Sequence, residues 1–388
     1  MTSWITSLLA LVLACAAHAQ EKPIVVGAVV SETGSHATIA ADYRKGLVLW
    51  QEELNRAGGL LGQPVELRFA DDASEAVRAR REYAGLIAAG AQVLIGPYGS
   101  AATLAGAVEA EAAKRVMLNA AGPSGEVHKR ALRYVFQVCP PYSAYAEGVL
   151  SLAAQAEARS LFILARDDGA SREMAEAAAA QAKQRGLAAQ VEFFPPGTDD
   201  FLPQLYKAMG VQADAWIAYA QPRDAADMVK TLKRQGYVPR VVYARSSNDA
   251  RFIQRIGQDA EFILGSEEYD ARFPTQGNAA FVQAYKARWS AAPGVLAAAG
   301  YAAGSVLAEA VRRAGSADPE KLRAALAALE LDTVLGRYRV DANGAQTGIK
   351  PVVTQIVRGH GVPVWPEALA GDRRILAFTP WGEREILR

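Results

Sequence analysis

Ile24-Val25-Val26-Gly27-Ala28-Val29-Val30 decides how this chain is read. Seven almost unbroken apolar residues, mostly β-branched and closed by the polar run Ser31 to Ser35, describe a strand buried on both faces. A stretch of helical period follows over 39–56, then a second apolar run over 65–70. The alternation continues with helix 74–89, strand 93–96, helix 101–114 and strand 116–119. Strands separated by helices must run parallel, so the pattern predicts a parallel sheet with helices on both faces. After strand 135–138 and Pro140-Pro141 it restarts, with helix 144–157, strand 161–165, helix 172–185, strand 189–194, helix 201–209, strand 215–220, helix 224–235 and strand 241–244. The expected fold class is α/β, two doubly wound parallel-sheet lobes in one chain.

Beyond residue 244 the strict alternation stops. Three helical stretches, 278–289, 296–314 and 319–329, precede strands near 334–340 and 352–357. These helices cannot all find room on the second sheet, so they are expected to return to the first. The chain then crosses between lobes three times, near Val138, Glu267 and Asn343. That assigns 20–138 plus 268–343 to lobe 1 and 139–267 plus 344–388 to lobe 2. Crossings of this kind make a hinge on which two lobes close.

The N-terminus carries an uncharged run from Leu8 to Ala17 and an Ala17-His18-Ala19 sequence before Gln20, the pattern of a signal peptide over 1–19. Export to the periplasm is therefore expected. Cys15 after Val12-Leu13-Ala14 resembles a lipoprotein processing site less well, because Leu13 is a poor fit there. The segment holds no Asp, Glu, Lys or Arg, so its removal leaves the formal net charge at +1. This balance, with no long basic run, argues against nucleic acid as a partner. No stretch after Gln20 is expected to cross a membrane. Cys139 is the one cysteine left, which excludes an internal disulfide and suits a small buried apolar side chain.

Ligands of open α/β sheets lie beyond the carboxyl ends of the strands. There the sequence places Ser31 to Ser35, Pro97 to Ser100, Ala120 to Ser124, Arg166 to Ser171, Gln221 to Arg223 and Arg245 to Ser247. In Gly96-Pro97-Tyr98-Gly99-Ser100, Gly99 allows an unusual turn and Ser100 is placed to cap the next helix. Free N–H groups and a hydroxyl at that point suit a carboxylate, although Ser100 reads equally as a plain cap. Ala121-Gly122-Pro123-Ser124 is a second small-residue loop that lets backbone approach a ligand, or simply turns.

Catalytic arrangements are missing from the sequence. It has no G-x-G-x-x-G dinucleotide loop after the first strand, no phosphate loop and no G-x-S-x-G elbow. His36, His128 and His360 show no metal-ligand spacing. Asp71-Asp72 and Asp167-Asp168 are paired carboxylates at strand ends, but neighbours on a loop are usually a cap and a solvated side chain. No enzyme activity, metal or cofactor is expected.

Laid out in this way, the chain resembles the periplasmic leucine/isoleucine/valine-binding proteins of ABC importers over nearly all of its length after residue 19. The likeness rests on Ile24 to Ala28, on Asn55-Arg56-Ala57-Gly58-Gly59-Leu60-Leu61-Gly62, on Asp71-Asp72-Ala73-Ser74, and on Val93-Leu94-Ile95-Gly96-Pro97. Gly300-Tyr301 and Thr379-Pro380-Trp381 add to it. The resemblance implies a type I periplasmic-binding fold with a three-crossover hinge, ligand capture by closure, and delivery to a membrane permease with its ATPase. Such a carrier is more simply a monomer. A ligand-sensing receptor of a signalling system would use the same fold and is the alternative.

Carried over residue by residue, the family's carboxylate-binding serine falls on Ser100, and its following backbone loop on Ala121, Gly122 and Ser124. The acid that holds an α-ammonium falls on Arg245 or Ser246, where a cation would repel an amine and welcome an anion. Two of the family's tyrosines fall on Ala170 and near Ile39, and a disulfide of some relatives would join Ser74 and Gly99. The expected ligand is thus a small organic or aromatic acid, or a branched-chain amino acid. It is held by Ser100, Gly122 and Ser124 from lobe 1 and by Arg245 and Gln221 from lobe 2, with Tyr98, Tyr142 or Tyr269 as walls. Arg245 reads alternatively as a rim ion pair with an acidic neighbour.

Overall fold

A computed structural model describes residues 22–130, 132–370, 378 and 380–383. Residues 1–19, where a signal peptide is expected, lie outside the described residues together with Cys15, as does Thr379.

The first sheet is built from β1 (Ile24–Val30), β2 (Val65–Asp71), β3 (Val93–Ile95), β4 (Met117–Asn119) and β5 (Val135–Gln137), all parallel in the order β2-β1-β3-β4-β5. Its crossovers are α1 (Ala37–Arg56), α2 (Ala76–Ala88) and α3 (Ser100–Ala112). Every residue of β1 is buried, as an apolar strand flanked on both sides in a doubly wound sheet must be. Because the strand order reverses between β1 and β3, their carboxyl ends leave a crevice, and the loop 96–100 opens into it.

The second sheet takes α4 (Tyr145–Gln155), β6 (Ser160–Arg166), α5 (Gly169–Gln184), β7 (Ala188–Phe194), α6 (Leu202–Gly210), β8 (Ala215–Tyr219), α7 (Pro222–Arg234), β9 (Val241–Ala244), α8 (Ala250–Ile256) and β10 (Leu264–Glu267). The chain then leaves for α9 (Asn278–Trp289), α10 (Val295–Ala314), α11 (Pro319–Ala328) and the hairpin of β11 (Leu331–Thr333) and β12 (Gly336–Tyr338). It returns for β13 (Val352–Val357) and β14 (His360–Trp365). The full order is β14-β13-β10-β9-β8-β6-β7, parallel from β7 to β10 and antiparallel at the β13 and β14 edge.

Helices α9 and α10 pack on the first lobe against α1, and α11 packs on α10. The α1–α10 contact is close because glycines line it. A Cβ on Gly46 would stand 2.0 Å from the Ala297 carbonyl, one on Gly300 2.6 Å from the Tyr43 carbonyl, and one on Gly304 2.1 Å from Trp50. Val306, Leu307, Val311 and Trp50 close the core around that contact.

The chain passes between the sheets three times: after β5, after β10, and between β12 and β13. The first and third passages are tied together. Gln137 N–H donates to the Gly344 carbonyl at 2.8 Å, and the buried Gln346 donates to Gln137 Oε1 and to the Val138 carbonyl.

Three expectations need correction. Residue 100 does not cap α3: Gly99, at φ 93°, occupies the cap position and Ser100 is the first helical residue, its hydroxyl accepting from Ser124 N–H instead. The strand expected near 334–340 is shorter, β12 at Gly336–Tyr338, because the chain turns at 334–335 to pair it with β11 in a hairpin. Helix α10 does have the length and composition of a membrane span, but it is mostly buried as the core helix of lobe 1.

Candidate functional site

At the carboxyl end of β3, Gly99 N–H donates to the Ala121 carbonyl, which ties the loop of β3 to the loop of β4. Ser100 Oγ accepts from Ser124 N–H at 3.1 Å, so its own proton is left to donate. The N–H groups of the first turn of α3 have no partner inside the helix. A hydroxyl donor beside open helix N–H groups is an arrangement for one carboxylate.

The rest of the small-residue loop is committed to structure. Gly122 donates to Asn119 Oδ1 at 2.9 Å and accepts from Asn119 Nδ2 at 2.8 Å. A Cβ there would meet Thr103 Oγ1 at 2.4 Å, which explains the glycine. Ala121 is buried. Ser124 Oγ donates to Glu173 Oε2 of α5 at 2.7 Å, and Gly125 N–H donates to Glu173 Oε1 at 2.7 Å. Glu173 therefore joins the two lobes at this edge of the cleft, a role that sequence reading did not find.

On the opposite side stands a charge cluster. Arg245, directly after β9, has 35% of its side chain exposed, and its Nη2 lies 3.8 Å from Glu268 Oε1, just after β10. Tyr145, the first residue of α4, donates its hydroxyl to that same Glu268 oxygen. Arg245 Nη2 donates to the Tyr145 oxygen at 3.4 Å, and the guanidinium carbon lies 5.1 Å from the Tyr145 ring centre. The Arg245 Nε is buried without a hydrogen-bond partner. Arg245 is thus an ion-paired residue, as its alternative reading anticipated.

Tyr98 and Tyr142 belong to this cluster. Burial raises both phenols, Glu268 raises them further, and Arg245 pulls them down. Tyr98 also meets His36 edge-on at 5.1 Å between ring centres. Cys139 is buried among the same groups; desolvation, then Glu268, pushes its thiol up to about 12, so it stays a neutral apolar side chain. Glu267, next to Glu268, is pushed up to about 7 by burial, against a hydrogen bond from Asn248.

The remaining predicted residues stand elsewhere. Ala170 lies in the first turn of α5, half-buried against the lobe 2 core. Gln221 is exposed ahead of α7 and lines a separate cleft of about 440 Å³ with Arg223, Arg251 and Arg255. Tyr269 donates to Asn278 Oδ1 at 2.8 Å and packs on Phe281 in the lobe 1 core. Ile39 is 43% exposed.

Both carboxylate pairs hold loops. Asp71 accepts from Glu32 N–H, Thr33 N–H, Thr33 Oγ1 and Ala73 N–H, while buried Asp72 accepts from Ser31 Oγ and Ser74 N–H. Asp167 pairs with Arg172 and Asp168 caps α5. Among the described residues no group of three His, Cys, Asp or Glu side chains is placed to hold a metal ion.

Comparison with known proteins agrees with this architecture. Residues 23–360 match the periplasmic binding protein family. A Leu/Ile/Val-binding protein homolog 8 of Brucella abortus is 23% identical over 287 residues, covering 69% of this chain and 70% of the relative. A leucine-binding protein of Thermotoga maritima superposes with a TM-score of 0.69 at 25% identity, covering 87% of this chain and 97% of its own. A solute-binding protein of an ABC transporter from R. palustris, in complex with benzoate, superposes with a TM-score of 0.68 at 18% identity, covering 91% and 100%. With two doubly wound lobes, three crossings and a family match over most of its length, the chain belongs to the periplasmic binding proteins of the ABC-transporter type.

Proposed function

We propose that this protein is the substrate-binding subunit of an ABC importer, which captures a small carboxylate-bearing ligand between its lobes and presents it to a membrane permease. The observation that carries this reading is the Ser100 hydroxyl. It keeps a proton to donate at the open end of α3, two residues after Tyr98, which feels the charges of Glu268 and Arg245. The Ser100 hydroxyl and the helix N–H groups take the carboxylate, while Tyr98 and Tyr142 supply walls for the apolar part. Closure needs only that the ligand bind the closed form better than the open one, so no bond is made or broken.

The relatives support the class of ligand. One is named for leucine, isoleucine and valine, another for leucine, and a third is in complex with benzoate; all four of these compounds carry a carboxylate. The proposed setting is the periplasm, with residues 1–19 as the export signal, and the proposed working unit is a monomer served by a separate permease and ATPase. Ligand-stripped protein is expected to gain thermal stability from at least one such acid or amino acid, because a native-state binder raises the midpoint. Ser100→Ala should remove most of that gain. Equal stabilisation of Ser100→Ala and wild type would sink the assignment.

A further inference from the structure

Arg245 stands where the family resemblance places the acid that would hold an α-ammonium. The structure supplies Glu268. Strands β9 and β10 are parallel neighbours, paired through Tyr243 and Leu264, and Ser266 N–H donates to the Arg245 carbonyl at 3.3 Å. Arg245 and Glu268 therefore leave the same edge of the second sheet. Glu268 sits at the start of the second crossing, directly after β10, and only 26% of its side chain is exposed. It is the carboxylate that an ammonium entering beside Tyr98, Tyr142 and Tyr145 would meet.

We infer that Arg245 and Glu268 form a charge-selecting pair: Arg245 neutralises Glu268 and so tunes the cleft to acids that lack an amino group. The inference rests on the reading that the cleft binds a carboxylate-bearing ligand. Arg245 Nη2 stands 3.8 Å from Glu268 Oε1 and 3.4 Å from the Tyr145 oxygen, and Tyr145 donates to the same carboxylate oxygen. An entering amine would bring a second cation to a carboxylate already facing one, and like charges at this separation in a half-buried site are strongly unfavourable. An oxo or ring substituent carries no such charge. The same geometry contains the opposite specificity. Without the guanidinium, Glu268 keeps one hydroxyl donor and becomes an acceptor for an ammonium.

The experiment is calorimetry on ligand-stripped full-length protein with leucine, its 2-oxo acid and benzoate, on wild type, Arg245→Lys, Arg245→Gln and the Arg245→Gln, Glu268→Gln double variant. Wild type and Arg245→Lys are expected to prefer the 2-oxo acid or benzoate over leucine by at least about tenfold. Arg245→Gln should reverse that order, changing the ratio by about a hundredfold, and the double variant should lose the gained leucine affinity. A folded Arg245→Gln protein with the wild-type order of ligands would overturn the inference while leaving carboxylate binding intact. Wild-type preference for leucine over its 2-oxo acid would overturn it equally. Binding of none of the three would overturn the preceding reading, and this one with it.

Discussion

Glu173 Oε2 lies 2.7 Å from Ser124 Oγ, and the other oxygen of the same carboxylate lies 2.7 Å from Gly125 N, so one side chain of α5 holds the loop after β4 across the cleft. Hydrogen bonds to a carboxylate are shorter and stronger than neutral ones, and both of these exist only while the lobes are together. Glu173→Ala should favour the open form and weaken ligand binding by about tenfold without changing ligand preference. Small-angle scattering of the ligand-free protein should show a larger radius of gyration, and calorimetry the weaker affinity. A variant with unchanged radius and affinity would assign the contact no part in closure.

Helices α1 and α10 meet through Gly46 and Gly300, where a Cβ would stand 2.0 Å from the Ala297 carbonyl and 2.6 Å from the Tyr43 carbonyl. Backbone carbonyls cannot swing away as a flexible side chain can. Gly46→Ala should therefore force the helices apart and cost about 2 kcal/mol or more of lobe 1 stability, read by urea denaturation. Gly90→Ala, with nothing within 4 Å but a left-handed backbone, separates close packing from backbone strain; a similar loss at both sites would contradict the packing account.

Asp71 is held at about 2. Desolvation opposes its charge, but hydrogen bonds from the Thr33 hydroxyl and from Ala73, Thr33 and Glu32 N–H groups outweigh that cost. A carboxyl depressed by folding stabilises fully above its unfolded value of about 3.9 and loses that contribution as pH falls toward the folded one. Asp71→Asn should cost about 1 to 2 kcal/mol at pH 7, and the difference from wild type should shrink as pH falls from about 4 to 2. A constant difference over that range would contradict the assignment.

Glu267 behaves in the opposite sense. Burial raises it from 4.5 to about 7, so the folded protein binds its proton more tightly than the unfolded chain does. Its contribution is favourable below the unfolded value and is lost as pH climbs through the folded one. Glu267→Gln should remove that slope between about pH 4.5 and 7 and stabilise the protein at pH 8, by up to about 3 kcal/mol. Thermal unfolding of both proteins across that range checks the sign.

The long periodic elements were legible in the sequence because burial and period agree there. Strands β1 and β9 begin and end where their apolar runs do, and α10 shows its helical period over 20 residues. Short elements were not. Helix α8 has seven residues under an Asp249 cap, and β10 has four, one of them glycine, so neither builds a period. The site was half legible for a related reason. Ser100 follows β3 across one short local loop, whereas Arg245 meets Glu268, and Ser124 meets Glu173, only through strand order and lobe closure. A Glu267-Glu268 pair ahead of Tyr269 gives no local sign that one acid is buried toward neutrality and the other faces a cation.

The central claim is that Ser100 and the open end of α3 take the carboxylate of a ligand enclosed by both lobes. The most direct measurement is a thermal-shift titration of ligand-stripped wild type and Ser100→Ala with leucine, isoleucine, their 2-oxo acids and benzoate, each beside its methyl ester or amide. The account predicts that at least one free acid raises the midpoint in wild type, that its uncharged derivative does not, and that Ser100→Ala abolishes most of the shift. Equal shifts from an acid and its ester, or from wild type and Ser100→Ala, would contradict it.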